Sequence, residues 1–194
     1  MGAIAVAIVP LALWPWLLPQ IRRELGSPLF RDATQCQYSG WCILHGLRIY
    51  KDVAAPDGPL IHFLHALMQA FAGSSDRGCR AADLVLQLTG SGVMGASLAP
   101  AIAETRAGRV LSRIAWAALA MSLWMTWYLD QGWGQTVQRD TYFALFGYCG
   151  LVLVYTSAEF SPRAARITAT AGGALCMLQI FGRHSGMAYP ASAL

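Results

Sequence analysis

The residues best suited to chemistry gather between Asp32 and Gly73. This stretch carries three carboxylates, Asp32, Asp52 and Asp57, and two cations, Arg48 and Lys51, and a later short loop adds Arg139. A carboxylate can take the proton from an attacking hydroxyl group, and a cation can stabilise the charge that grows on a departing phosphate. These groups would suit transfer of a sugar from a lipid phosphate to a hydroxyl acceptor, although they do not single out that reaction.

Long apolar segments must hold these residues at a bilayer. The chain has 194 residues, of which 56% are hydrophobic and 12% are charged, whereas a soluble domain carries roughly 25% charged residues. We therefore expect an all-α polytopic membrane protein that forms a single membrane domain over residues 1–194. About five spans are predicted, over residues 2–18, 79–103, 110–129, 141–157 and 164–181. The net charge of +4 forms no basic stripe, so a nucleic-acid partner is excluded.

The arginine-rich short turns predict the orientation in the membrane. Residues 104–113 carry three arginines and residues 158–166 carry two, whereas the opposing loop 130–140 carries one. Basic short loops face the cytoplasm, so we expect a cytoplasmic N-terminus and an outer loop 19–78 on the periplasmic side of a bacterial inner membrane. One observation opposes this orientation, because seven of the fourteen basic residues lie in 19–80.

The first part of the outer loop predicts a short amphipathic helix over residues 33–45, lying in the headgroup region. Tyr38, Trp41, Cys42 and His45 recur at helical spacing on one face, and polar residues lie opposite them. Asp32 is expected to cap the helix, with Gln35 completing a capping box, and Gly46 is expected to end it.

A second short helix is expected from Pro59 to Gly73, with Asp57 as its cap. It is apolar nearly all round, apart from a polar stripe of His62, His65 and Gln69. The two histidines have a spacing that can bind a metal. No nearby cysteine or carboxylate pattern completes a site, so a polar stripe at the headgroups is the favoured interpretation. No cofactor is certain, and a divalent metal ion is left open.

The order of residues in this loop resembles the first outer loop of the GT-C glycosyltransferases, which use sugars linked to polyprenyl phosphate. The features that carry the resemblance are Asp32, Tyr38, Gly46, Tyr50-Lys51-Asp52, Gly58-Pro59-Leu60 and Phe71-Ala72-Gly73. They look most like the bacterial branch related to protein mannosyltransferases and the lipid A aminoarabinose transferase. Gln138-Arg139-Asp140 is similar to the Gln-Arg-Glu-His of some members, and the resemblance covers roughly residues 1–180.

The resemblance implies an inverting transferase whose donor, a polyprenyl-phosphate-linked sugar, lies with its tail among the spans. Asp32 would be the general base with Asp52 assisting, and Arg139 and Lys51 would bind the donor phosphate. The remaining residues expected at the pocket are Tyr38, Tyr50, His62, His65 and Asp140.

Two departures from the family pattern bear on this expectation. Many members have Lys-Pro-Pro where this chain has Asp57-Gly58-Pro59, so a lysine expected near the donor phosphate is missing. Family members usually run to several hundred residues with more spans, so the chain is expected to correspond to their N-terminal part.

Simpler roles are open for the same residues. Asp32 could serve only as a helix cap, Asp52 only as a turn residue, and Lys51 could meet anionic headgroups. Asp83 could be functional, as intramembrane carboxylates often are, or it could pair with Arg80.

A different function is also open for the whole chain. It could be a non-catalytic membrane subunit that packs against a membrane protein partner through the small residues at 90–96. The five cysteines form no CxxC pair and no zinc spacing, so they do not indicate a metal-binding function.

Overall fold

A computed structural model describes residues 2–55, 57–99 and 105–178, and over these ranges the chain is helical without a strand. The helices are α1 Gly2–Gly26, α2 Arg31–Leu44, α3 Pro59–Ala72, α4 Asp76–Leu98, α5 Arg106–Asp130, α6 Arg139–Thr156 and α7 Pro162–Leu178. A 3-10 turn, Ser157–Glu159, separates α6 from α7. The prediction of an all-α protein is confirmed.

Within the described ranges, two helices are long and apolar enough to cross a membrane. They are α5 and α6 extended by its following turn, Arg106–Asp130 and Arg139–Glu159. By length and composition, these two helices fit a membrane association. Of the other predicted spans, the first continues as a helix through Pro19 to Gly26. The ends of two predicted spans, residues 100–103 and 179–181, lie outside the described residues.

α4 lies at the centre of the bundle, since it packs against α1, α3, α5 and α6. Its glycines allow this close packing. A Cβ atom added at Gly92 would lie 2.8 Å from Cε of Met121 on α5, and one at Gly90 would lie 2.8 Å from Leu145 on α6. The small-residue face at 90–96 is therefore used for packing within the chain rather than left for a partner.

The two short helices between α1 and α4 begin differently from the prediction. Phe30 is the N-cap of α2 and no side chain caps the helix, so the predicted capping box of Asp32 and Gln35 is wrong. Asp32 lies inside the first turn, where a carboxylate still interacts favourably with the helix dipole. α3 starts at Pro59 as expected, but Gly58 is its N-cap, so Asp57 does not cap it.

The connecting segments gather at two opposite ends of the bundle. At one end, the Leu29 N–H donates to the Asp76 carboxylate at 3.1 Å, and the Gln37 amide donates to the Ser74 carbonyl at 2.7 Å. At the other end of α5, Arg113 and Glu159 line a common cavity of about 220 Å³. The two arginine-rich turns therefore share one end, and the loop of residues 19–78 occupies the other.

Candidate functional site

An ion pair between Asp57 and Arg139 forms the centre of the candidate site. Arg139 is the first residue of α6, and Asp57 lies in the segment just before α3. The guanidinium Nη1 contacts Oδ1 of Asp57, and the two side chains are only 29% and 14% exposed. The Cys36 thiol of α2 lies 4.0 Å from the other Asp57 carboxylate oxygen. Three separate parts of the chain therefore meet at this ion pair.

Asp32 belongs to the same neighbourhood. It is exposed in the first turn of α2, and its carboxylate makes no hydrogen bond or ion pair with any described residue. Burial raises the pKa of the Cys36 thiol to about 11, while Arg139 lowers that pKa and Asp32 raises it. Asp32 lies about one helical turn before Cys36 on α2, and Arg139 pairs with the Asp57 carboxylate beside the same thiol. Of these two charged groups, Asp32 is the one without an ion pair among the described residues.

Tyr50 holds the Asp57 segment in place. Its hydroxyl donates to the Asp57 backbone carbonyl, and its ring meets the edge of the His62 ring at a centroid distance of 6.3 Å. The backbone of Tyr50 has a φ of +67°, a left-handed conformation that is uncommon for a residue with a side chain. Tyr50, which was predicted to line the pocket, therefore positions the Asp57 segment of the candidate site.

Asp52 and Lys51 lie outside this cluster. The Asp52 carboxylate accepts from the Arg48 guanidinium at 2.9 and 3.3 Å and from the Arg48 backbone N–H at 2.9 Å. These hydrogen bonds hold the pKa of the Asp52 carboxyl below its usual value. Lys51 is exposed in the same turn. Asp52 has the geometry of a turn residue, and Lys51 lies at the turn's surface.

Tyr38 and Asp140 are both exposed, on different helices. Tyr38 is 58% exposed, and its ring stacks on Trp41 at a centroid distance of 6.3 Å. Asp140 follows Arg139 in the first turn of α6 and is exposed. Of the predicted site residues, the structure therefore brings together Asp32, Tyr50 and Arg139, and it places His62 against the Tyr50 ring.

His62 and His65 are fully buried, so the prediction of a polar stripe at the headgroups is wrong. No described residue pairs with any of their four ring nitrogens. The reason is that this face of α3 points inward, where the His65 ring meets Tyr142 of α6 at 6.2 Å. Burial lowers the pKa of both imidazoles, to about 3 for His65. In the described part of the chain, no three His, Cys, Asp or Glu residues are placed to hold a metal ion.

Arg80 forms a buried polar centre that the sequence did not reveal. Its Nη1 donates to the Glu24 carboxylate and to the Thr136 hydroxyl, and its other donors reach backbone carbonyls of Ser27, Pro28 and Trp133. All five guanidinium N–H groups are therefore satisfied. Arg80 pairs with Glu24 rather than with Asp83. In the sequence, the opposite charges of Glu24 near the end of α1 and Arg80 near the start of α4 could have indicated this ion pair.

Asp83 anchors a second buried polar group. Its carboxylate accepts from the Tyr128 hydroxyl and, at 3.1 Å, from the Gln87 amide. The Gln87 carbonyl in turn accepts from the Trp124 indole at 2.9 Å. The Tyr128 hydroxyl also accepts the Val137 backbone N–H at 2.8 Å. This network ties α4 to α5 and to the segment that leads into Arg139.

No protein-family model, no curated protein and no solved structure matches the chain. The likeness to the GT-C glycosyltransferases therefore depends on the ordered residues of 32–73, supplemented by Gln138-Arg139-Asp140.

Proposed function

We propose that the protein is a membrane glycosyltransferase of the GT-C type, whole or in part, that takes a sugar from a polyprenyl-phosphate donor. The observation that carries the proposal is geometric: Asp32 lies about one helical turn before Cys36 on α2, and the Cys36 thiol lies 4.0 Å from the Asp57 carboxylate that pairs with Arg139. Asp32 offers a carboxylate that no described residue pairs with, and Arg139 offers a guanidinium. Transfer of a sugar from a lipid phosphate needs both of these charges.

The reaction assigns each charge a step. The acceptor hydroxyl oxygen attacks the anomeric carbon, and a new carbon–oxygen bond forms while the bond to the donor phosphate breaks. Asp32 takes the hydroxyl proton, and polyprenyl phosphate leaves with its charge stabilised by Arg139. Because the attack is a single displacement from the opposite face, the anomeric configuration inverts.

The ion pair explains how a cation reaches the phosphate although a lysine of the family pattern is missing. Asp57 stands where many family members have that lysine, and the Arg139 guanidinium contacts Asp57. Arg139 therefore supplies positive charge at this position from another helix. A donor phosphate would compete with the Asp57 carboxylate for the guanidinium, since both are anions that suit its planar donor groups.

The proposal includes a polytopic arrangement in a bacterial inner membrane. The five long helices, α1 and α4 to α7, would cross the bilayer with the N-terminus in the cytoplasm. The Asp57–Arg139 contact and the α5–α6 connection would then face outward. α2 and α3 would lie at the outer membrane surface, and the arginine-rich ends of α5 and α7 would face inward.

The test is transfer from a polyprenyl-phosphate sugar by the full chain in lipid nanodiscs. Asp32→Asn is expected to slow release of polyprenyl phosphate by about 10²-fold or more, since a general base contributes that much. Asp130→Asn is the matched control, because Asp130 is an exposed carboxylate at the end of α5. Equal turnover of the Asp32 variant and the control would remove Asp32 from the role of base.

A non-catalytic subunit is the second candidate, and one surface favours it. α3 exposes Phe63, Leu67 and Phe71, of which Phe71 is 84% exposed. An apolar groove of about 480 Å³ lies beside them, between α3 and α4. A helix of a membrane partner would fit this groove. Donor turnover by the purified chain running as a monomer would contradict the subunit hypothesis.

A further inference from the structure

Val137 has a backbone conformation that its side chain disfavours. It is buried, with 1% of its surface exposed, and its φ is +60°. A β-branched residue is a rare occupant of the left-handed region, because its side chain crowds the backbone there. Such a conformation persists only where the surroundings hold it. Val137 lies two residues before Arg139, so its backbone sets the direction in which α6 begins.

Tyr128 and Asp83 hold the Val137 backbone through two consecutive hydrogen bonds. The Val137 N–H donates to the Tyr128 hydroxyl at 2.8 Å, and that hydroxyl donates to Asp83. Tyr128 and Asp83 are essentially without exposure, at 0% and 1%. The preceding residue, Thr136, is fixed separately by its contact with Glu24. The strained backbone is therefore fastened to buried groups of α4, α5 and α1.

We propose that Tyr128 and Asp83 are positioning residues that hold Val137 in its left-handed conformation and thereby place the Arg139 guanidinium on Asp57. The consequence for phosphate binding rests on the proposed function. The structural part stands by itself, because it concerns the Asp57–Arg139 contact alone. Without the Tyr128 hydroxyl, Val137 would relax to a negative φ, the start of α6 would turn, and Arg139 would leave Asp57.

The Cys36 thiol is a built-in reporter of this contact. It is 5% exposed and lies 4.0 Å from the Asp57 carboxylate. Its alkylation by N-ethylmaleimide, followed by peptide mass spectrometry on the folded chain in nanodiscs, measures how often the contact opens. Tyr128→Phe keeps the ring and removes the hydroxyl. We expect it to raise the alkylation rate of Cys36 by about tenfold, the order set by one strained residue.

Cys149 is the internal control, because it is buried between α4 and α6 and its thiol donates to the Gly90 carbonyl at 3.3 Å. Its alkylation rate should not change in the Tyr128→Phe chain. An unchanged rate at Cys36 would overturn the proposal. An equal rise at both cysteines would overturn it as well, because it would show a general loosening of the bundle.

A rescue experiment separates positioning from packing. Glycine adopts a positive φ without steric cost, whereas alanine does not. In the Tyr128→Phe chain, Val137→Gly should bring the alkylation of Cys36 back towards the wild-type rate. Val137→Ala removes similar volume and should fail to do so. Equal behaviour of the glycine and alanine variants would show that the backbone conformation of Val137 is not what Tyr128 controls.

The role in phosphate binding is measured separately. Polyprenyl phosphate should raise the Tm of the wild-type chain more than polyprenol does, and Tyr128→Phe should reduce this difference as Arg139→Gln does. A wild-type chain that does not distinguish the two lipids would refute the proposed function and with it the phosphate-binding consequence, while the Cys36 measurements would still test the positioning of Arg139.

Discussion

At the scale of single residues, the buried charges are held by complete sets of partners. Arg80 has no exposed surface, and each of its N–H groups has an acceptor. Removing one partner of a buried ion pair leaves an uncompensated charge, which costs much more than the pair contributes. Arg80 thus joins α1, α4 and the α5–α6 connection in a way that an apolar residue could not.

Arg80→Met tests this view. The substitution keeps much of the side-chain volume but leaves the Glu24 carboxylate buried without its cation. We expect the free energy of unfolding to fall by about 3–5 kcal/mol, measured by denaturant titration in detergent micelles. Arg77→Met is the control, because Arg77 is exposed in the first turn of the same helix, and it should change stability by no more than about 0.5 kcal/mol. Similar losses for both would contradict the assignment.

The Asp57–Arg139 pair gives a second prediction at this scale. Under the proposed function, the Asp57 carboxylate competes with a donor phosphate for Arg139. Asp57→Asn removes this anion, so the binding of polyprenyl phosphate should tighten. The expected gain is about threefold to tenfold, since a partly exposed ion pair is worth roughly 1 kcal/mol. Titration of nanodisc-embedded protein with polyprenyl phosphate measures it, and Asp130→Asn, at an exposed carboxylate at the end of α5, serves as the control. Weaker binding by the Asp57 variant would show that Asp57 assists the phosphate site.

At the scale of elements, α3 buries two histidines whose ring nitrogens have no hydrogen-bond partner among the described residues. Their pKa lies below the usual value of about 6.5. The unfolded chain therefore binds more protons than the folded chain once the pH falls below about 6.5. The titration of these histidines costs the fold no stability above that pH, and the folded state loses stability as the pH falls towards 3.

We expect the packing of α3 to weaken at acid pH because of these histidines. For His65 alone, the loss approaches about 1.4 kcal/mol per pH unit within this window. Hydrogen exchange of α3 amides between pH 7.5 and 5, corrected for the intrinsic rate, measures the opening. His65→Phe should flatten the pH dependence, whereas His45→Gln, at an exposed position, should leave it unchanged. A profile unaffected by His65→Phe would contradict the assignment to this residue.

The contact between α2 and α3 depends on Gly40. A Cβ atom there would lie 2.7 Å from the Ala66 backbone nitrogen and 2.7 Å from the Gln69 amide nitrogen. Gly40→Ala should therefore push the helices apart and cost about 1–3 kcal/mol of stability, as overpacking does, despite the better helix propensity of alanine. Gly26→Ala is the control, since nothing lies within 4 Å of its added Cβ. Denaturant titration should show a lower free energy of unfolding for the Gly40 variant than for the Gly26 variant. Equal values would show that α2 can shift away from α3 without a loss of stability.

At the scale of the whole molecule, the local sequence pattern predicted where the short helices lie. Contacts between residues far apart in the sequence determine what their side chains and Arg80 do. The extents of α2 and α3 followed from helical spacing, Gly46 and Pro59, all local signals. The inward direction of His62 and the partner of Arg80 depend on segments far away along the chain, and periodicity carries no information about which neighbour covers a polar stripe. The prediction placed the N-cap of α2 at Asp32, two residues too late, because the helix begins after Phe30, which has no side chain that can cap it.

The arrangement of both ends of the bundle gives the prediction that tests the whole architecture. Asp57 contacts Arg139, so the turn bearing Lys51 lies at the same end as the α5–α6 connection, and Arg163 lies at the other. In cells, a membrane-impermeant maleimide should label Lys51→Cys and Asp130→Cys from outside, and Arg163→Cys only after permeabilisation. All three positions should leave the fold intact because they are exposed. Labelling of Lys51→Cys and Arg163→Cys from the same side would refute the five-span proposal, whereas full inversion of the pattern would keep the spans and reverse the orientation that the arginine-rich turns predict.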